Sequence, residues 1–147
     1  MSTPLPQSWL GWMLLPLRQY AQFRGRSGRR EFWWYSAFLA LGYLSIFAFG
    51  MILSDAADEE DVSVVVWFGG WTLFFLANFV PGLALTTRRL HDMNLSGALL
   101  IAIFAGLLIL NFLGWLGYLL WMSLPGQRME NRHGPPLGEQ DIAGVFS

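Results

Sequence analysis

Three long stretches of this sequence contain no aspartate, glutamate, lysine or arginine, and they constrain the fold more than any other feature. They are Phe32–Ser54, Val62–Thr87 and Met93–Gln127, with lengths of 23, 26 and 35 residues. An α-helix needs about 20 apolar residues to cross the hydrocarbon core of a bilayer. Each stretch is long enough for one crossing and too short for two crossings joined by a turn. The sequence therefore predicts three transmembrane helices, at about 32–53, 64–86 and 98–122.

The composition supports a membrane protein and excludes two other classes. Hydrophobic residues make up 54% of the chain and charged residues 13%, and that charged share is about half the usual one. A disordered chain is poor in apolar and aromatic residues, and a water-soluble domain needs more charge to cover its surface. We therefore expect an all-α membrane protein, with a single membrane domain at 1–136 and a flexible C-terminal tail at 137–147.

The segment before the first predicted span has the pattern of an amphipathic helix, at about 7–22. Trp9, Trp12 and Tyr20 are among the residues that recur at three- and four-residue steps, and Trp and Tyr favour the headgroup level of a membrane. We expect this helix to lie in the interface or, as an alternative, to pack on the cytoplasmic end of the bundle. Pro16 should kink it or split it.

The distribution of arginine predicts how the chain is oriented. The chain has nine basic residues, all of them arginine; seven lie before the first span or between the second and third, and two lie in the tail. Because short arginine-rich loops remain in the cytoplasm, we expect a cytoplasmic N-terminus and a tail on the outside. The alternative is that the third stretch bends back near Asn111, which would return the tail to the cytoplasm. We rank this re-entrant form second, since two half-helices of about 12 residues cannot both span.

The arginines near the first and third predicted spans form the candidate binding site. A planar guanidinium fits phosphate or carboxylate in a fork that lysine lacks, and each basic residue near an anionic surface contributes about 1 kcal/mol. The simpler interpretation is that these charges only set the orientation of the chain. The candidate residues for binding anionic lipid or a protein partner are Arg24, Arg26, Arg29, Arg30, Arg88 and Arg89.

Glu31, His91 and Asp92 form a predicted polar cluster beside these arginines. Glu31 and Asp92 are the only carboxylates expected at this membrane face, so we expect each to pair with an arginine of the other segment. His91 beside Asp92 resembles an acid/base pair, although adjacent residues on a helix do not face each other. The other histidine, His133, falls across the membrane in the predicted topology, which disfavours a two-histidine metal site.

Two asparagines fall inside the predicted transmembrane spans. Asn78, close to Pro81, and Asn111 are intramembrane polar residues, which usually bond to another helix and sometimes mark a transport path. Ala98, Ala102 and Gly106 form a stripe of small residues that allows a neighbouring helix to approach closely, in the same chain or in a second copy.

Several strings, taken together and in this order, resemble the YhaH-like inner-membrane proteins, catalogued as domain-of-unknown-function family 805. The resemblance covers about residues 10–136, with departures at Gly126-Gln127 and His133. It implies a small bacterial inner-membrane protein with about three helices, and it implies no activity. The strings are Phe23-Arg24-Gly25-Arg26, Arg29-Arg30-Glu31-Phe32-Trp33, Arg88-Arg89-Leu90-His91-Asp92, Ser96-Gly97 and Asn131-Arg132-His133-Gly134-Pro135.

Three functions remain in view from the sequence. The first is a non-enzymatic, multi-pass protein of the bacterial inner membrane whose arginine-rich cytoplasmic face binds anionic lipid or a protein partner. The second is a small oligomeric transporter or channel subunit, with Asn78 and Asn111 along its path. The third and least favoured is a membrane enzyme that uses His91 and Asp92. We expect no metal, no cofactor and no nucleic-acid partner, and a homo-oligomer is possible.

Overall fold

A computed structural model describes residues 6, 8–57 and 60–135 of the chain. Within these ranges the fold consists of four helices: α1 (Trp9–Arg18), α2 (Arg29–Ala57), α3 (Glu60–Asp92) and α4 (Leu99–Ser123). Three of them, α2, α3 and α4, are long and apolar enough to cross a membrane. The predicted all-α class, with three such helices after a short N-terminal one, is confirmed. The predicted flexible tail at 137–147 lies outside the described residues.

Helices α2 and α3 form an antiparallel pair that is longer than the hydrocarbon core is thick. With 29 and 33 residues, they extend about 43 and 50 Å against a core of about 30 Å. Aromatic rings fill the interface between them, as in the stacked pair Phe47 and Trp67, whose centroids lie 5.0 Å apart. Leu44 and Phe68 are exposed, which suits contact with lipid chains.

Helix α1 packs against the ends of α2 and α3, one of the two alternatives that the sequence allowed. Its residues Met13, Leu15 and Pro16 are buried, whereas Trp9 and Leu10 remain exposed. The helix continues through Pro16 and ends at Arg18, so the predicted split does not occur. Its position in the membrane interface stays a prediction.

Helix α4 is folded back on itself as a helical hairpin. Asn111 interrupts it with φ 49° and ψ −119°, leaving two arms of about 12 residues each. A Cβ atom added to Gly114 would lie 2.7 Å from the carbonyl oxygen of Gly106, whereas residues eight apart in a straight helix are separated by about 12 Å. Ile103 of the first arm and Met122 of the second belong to one hydrophobic core cluster. The arms are therefore antiparallel neighbours.

This hairpin returns the end of α4 to the end of the bundle from which it started. Arg89, near the end of α3, donates from Nε to the carbonyl oxygen of Met122 at 3.1 Å. The prediction that the tail lies at the opposite membrane face is therefore wrong, and the re-entrant alternative is the one observed. We rank this form second from the sequence because two half-helices of about 12 residues cannot both span. A re-entrant hairpin, however, enters and leaves the membrane at the same face, so its arms do not have to span. Gly106, the last residue of the small-residue stripe, has its close neighbour in the same chain, at Gly114.

Candidate functional site: the buried ion-pair cluster at the arginine end

One end of the bundle, called the arginine end below, carries all nine basic residues of the chain. These residues lie at the end of α1, in the segment leading into α2, near the end of α3 and in the segment after α4. Hydrogen bonds between these four parts of the chain are described in the following paragraphs. Six of the buried polar residues at this end form what we call the buried cluster: Arg26, Ser27, Glu31, Arg88, Arg89 and Asp92.

Asp92, at the end of α3, joins two arginines from different parts of the chain. Its Oδ1 accepts from Arg26 Nε at 2.9 Å and from Arg26 Nη2 at 2.8 Å, a bidentate donor. Its Oδ2 accepts from Arg89 Nη1 at 2.5 Å, one helical turn earlier. Both carboxylate oxygens therefore accept hydrogen bonds from buried guanidinium groups. Through Arg26, the carboxylate holds the segment before α2 against α3.

Glu31 forms the second buried ion pair. Its Oε1 accepts from Arg88 Nη2 at 2.9 Å, and its Oε2 accepts from the Ser27 hydroxyl at 2.7 Å. The backbone amide of Ser27 donates to the carbonyl oxygen of Arg88 at 3.1 Å, and Arg88 also donates to the side-chain oxygen of Gln19. The expected contact between the Arg24–Glu31 and Arg88–Asp92 segments is thus present, and each acid pairs with an arginine of the other segment.

Backbone carbonyls at the end of α4 and in the segment after it accept the remaining hydrogen bonds of Arg26 and Arg89. Arg26 Nη1 donates to the Met129 carbonyl at 3.1 Å, and its Nη2 donates to that of Gln127. Arg89 donates to the carbonyls of Met122 and Leu124. Because charged donors form the stronger hydrogen bonds, these contacts fix the segment after α4 on the cluster. We call this segment, residues 124–135, the tail segment.

Gly126 allows the tail segment to lie directly on Asp92. A Cβ atom at this position would lie 1.8 Å from Asp92 Oδ2 and 2.4 Å from Asp92 Cγ. The next amide, that of Gln127, donates to the Asp92 backbone carbonyl at 2.9 Å. Residue 126 therefore has to lack a side chain for the tail to reach this register.

The two histidines lie together beside the cluster, contrary to the prediction that the membrane separates them. The rings of His91 and His133 are parallel, with centroids 3.8 Å apart. Arg132 Nε donates to His133 Nε2 at 3.2 Å, which requires a neutral acceptor nitrogen. Burial, together with the neighbouring charges of His91 and Arg132, lowers the pKa of His133 below its ordinary value, so the neutral form is favoured.

The structure does not join His91 and Asp92 as an acid/base pair. His91 Nδ1 lies 3.2 Å from the Gly25 carbonyl oxygen, whereas the Asp92 carboxylate contacts Arg26 and Arg89. Among the described residues no group of three or more His, Asp or Glu side chains is placed to hold a metal ion. What the cluster does contain is a buried network of three arginine–carboxylate ion pairs.

The other three predicted binding arginines differ from the buried ones because their side chains are exposed. Arg24, Arg29 and Arg30 are exposed, and the guanidinium carbon of Arg30 lies 5.4 Å from the centroid of the Trp12 ring. In the ranges that the structure describes, the ion pairs use only Arg26, Arg88 and Arg89. The six predicted binding residues thus separate into three structural and three surface arginines.

The two intramembrane asparagines have different surroundings. Asn78 is buried, and its side-chain oxygen accepts from the Tyr35 hydroxyl at 2.9 Å while its amide nitrogen donates to the Phe74 carbonyl at 2.8 Å. Asn111 is exposed at the turn of the α4 hairpin. No hydrogen bond joins the two within the described part of the chain, and Asn78 serves to hold α2 against α3.

Sequence reasoning missed Gln19, Gly126 and the carbonyl groups of the tail segment. The carbonyl groups leave no signal, because every residue carries one. Gly126 follows Pro125 directly, a pair that indicates a turn, but not the carboxylate against which that turn packs.

The sequence of this chain is similar to that of other proteins. The model of a family described as "Protein of unknown function (DUF805)" matches residues 20–135. Inner membrane protein YhaI of Escherichia coli strain K12 is 34% identical over 123 residues, which cover 84% of this chain and 92% of YhaI. Inner membrane protein YhaH of the same strain is 30% identical over 130 residues, which cover 86% and 95%. No solved structure matches the chain.

Proposed function

This chain belongs to the DUF805 family and is a multi-pass inner-membrane protein, and from that premise we propose that its arginine end faces the cytoplasm and binds anionic lipid headgroups. The observation that carries the proposal is the separation of the arginines into a buried, paired set and an exposed set at one end of the bundle. The proposed binding residues are Arg24, Arg29 and Arg30. Arg26, Arg88 and Arg89 have a structural role instead.

The orientation is supported by a stronger charge asymmetry than the sequence alone suggests. Since the α4 hairpin brings Arg128 and Arg132 to the same end as the other seven, all nine arginines lie at that end. The opposite end carries acidic residues, among them Asp55 and Asp61. A one-sided excess of arginine of this kind is typical of the cytoplasmic side.

Lipid binding is supported by the surroundings of the exposed arginines. Three exposed aromatic side chains, Trp9, Tyr20 and Phe23, lie at the same end, and Trp and Tyr favour the headgroup level. An exposed guanidinium at that level can fork onto a phosphate. The paired arginines contribute less, because they are buried and most of their donors are already occupied by carboxylates and carbonyls.

The topology can be tested with single cysteines, since the natural chain has none. We expect a membrane-impermeant maleimide added to spheroplasts to label Ala56→Cys, at the end of α2 opposite the arginines. Met129→Cys, in the tail segment, should be labelled only after lysis. Labelling of Met129→Cys in intact spheroplasts, with Ala56→Cys protected, would reverse the proposed orientation. Labelling of both would contradict the return of the tail.

Lipid binding can be tested on protein already folded in nanodiscs. We expect Arg29→Gln/Arg30→Gln to retain phosphatidylglycerol less strongly than the parent, by up to about 30-fold, because each arginine contributes about 1 kcal/mol at an anionic surface. The difference should shrink at high salt. The measurement is native mass spectrometry of retained lipid at low and high ionic strength.

The matched control changes two charges at the other end of the bundle. Asp55→Asn/Asp61→Asn should leave retention unchanged, because these residues lie far from the exposed arginines. If Arg29→Gln/Arg30→Gln retains as much lipid as the parent at low salt, the lipid proposal fails. A protein partner would then be the favoured use of this face.

A further inference from the structure

The turn of the α4 hairpin places a polar side chain in an apolar surface. Asn111 is exposed there, with a positive φ of 49°, a conformation that Asn tolerates better than most residues. Its amide makes no hydrogen bond to any part of the chain that the structure describes. Around it Leu108, Ile109 and Phe112 are 82%, 80% and 77% exposed. We call residues 108–113 the α4 tip.

With the arginine end at the membrane surface, as proposed above, the length of the arms would place the α4 tip deep in the bilayer. An arm of about 12 residues extends about 18 Å from the arginine end, which is past the middle of a hydrocarbon core about 30 Å thick. An amide without a hydrogen-bond partner is costly there, since lipid chains offer neither donors nor acceptors. The apolar side chains around it are suited to lipid, but the amide is not.

We propose that the α4 tip is the contact between two copies of this chain, with the Asn111 side chains hydrogen-bonded to each other. A carboxamide carries both a donor and an acceptor, so two of them related by a two-fold axis satisfy each other. A second copy inserted in the same orientation places its own Asn111 at the same depth. The neighbouring side chains of the tip carry no charge, so two tips approach without electrostatic repulsion.

The close approach of Gly106 and Gly114 supports this contact. Their contact keeps the two arms of the hairpin tightly packed, which turns the tip into a fixed surface. A preorganised surface loses less conformational entropy on association. The proposal does not depend on lipid binding at the arginine end, because the two surfaces share no residues.

Disulfide cross-linking in native membranes tests the contact directly. The chain has no cysteine of its own, and a disulfide forms only when the two Cα atoms are about 4.4–6.8 Å apart. We expect Asn111→Cys to form a covalent dimer on mild oxidation. Phe68→Cys, at an exposed position of α3, serves as the control for random collisions and should stay monomeric. Equal cross-linking of the two variants would overturn the proposal.

A second variant separates the contribution of the Asn111 side-chain amide from that of the backbone turn. Asn111→Gly keeps the positive φ accessible and removes only the side chain, so the fold should survive, as checked by its thermal unfolding temperature. We expect the dimer to dissociate about threefold to 30-fold more readily, because interhelical hydrogen bonds in membranes are worth about 0.6 to 2 kcal/mol. The readout is the subunit number in nanodiscs or mild detergent against protein concentration. A parent chain that stays monomeric throughout, or that pairs with a different protein at the tip, would overturn the proposal.

Discussion

Replacing Asp92 with asparagine should lower the free energy of unfolding by about 3 to 5 kcal/mol, the usual cost of breaking a buried ion pair by removing one partner. The substitution preserves the shape of the side chain but removes its negative charge. Arg26 and Arg89 would then remain buried beside each other with no carboxylate between them. The measurement is reversible unfolding in mixed micelles, followed by circular dichroism.

Glu130→Gln is the matched control for this prediction. Glu130 is an exposed carboxylate at the same end of the bundle, and a surface substitution of this kind changes stability by no more than about 0.5 kcal/mol. If Asp92→Asn and Glu130→Gln unfold alike, the cluster does not stabilise the fold.

Replacing Gly126 with alanine should also be strongly destabilising, although it adds only one methyl group. The new Cβ atom would fall 1.8 Å from Asp92 Oδ2, so either the tail segment or the carboxylate has to move. Overpacking alone costs about 1 to 3 kcal/mol, and displacement of Asp92 adds the loss of its contacts with Arg26 and Arg89. The expected result is a lower unfolding temperature and faster proteolysis of the tail segment.

The control for this substitution is another glycine with free space around it. A Cβ atom at Gly117 meets nothing within 4 Å, and alanine is the better helix former by up to about 1 kcal/mol. Gly117→Ala should therefore be neutral or slightly stabilising. A neutral Gly126→Ala would show that the tail does not pack on Asp92 in the membrane.

The charge-free stretches predict α2 and α3 well but underestimate their lengths. The first span was predicted at about 32–53 and extends to Ala57, and the second was predicted at about 64–86 and extends to Asp92. The physical reason is that a helix does not end where the hydrocarbon core ends. The continuation of α3 places Arg88, Arg89 and Asp92 in the last part of the helix, where they meet the segment before α2.

The hairpin in α4 could not be predicted from hydropathy, because both of its arms are apolar on all sides. The useful signal is local: Asn111 tolerates a positive φ, and Gly114 has no side chain to hinder its approach to the Gly106 carbonyl oxygen. For the site, sequence reasoning predicted which charged segments meet. It did not predict that backbone carbonyls bind Arg26 and Arg89.

The hydrogen-bond partners of Arg26 lie far along the chain from it, so Arg26 is in different surroundings during synthesis and in the folded protein. Asp92 and Gln127 follow it by 66 and 101 residues, so neither has been synthesised when Arg26 itself emerges from the ribosome. In the orientation proposed above, Arg26 would be an unpaired charge during that interval and would help retain the N-terminal segment on the cytoplasmic side. Its burial requires residues synthesised near the end of translation, so in the proposed orientation the same arginine would first favour correct insertion and afterwards stabilise the folded protein.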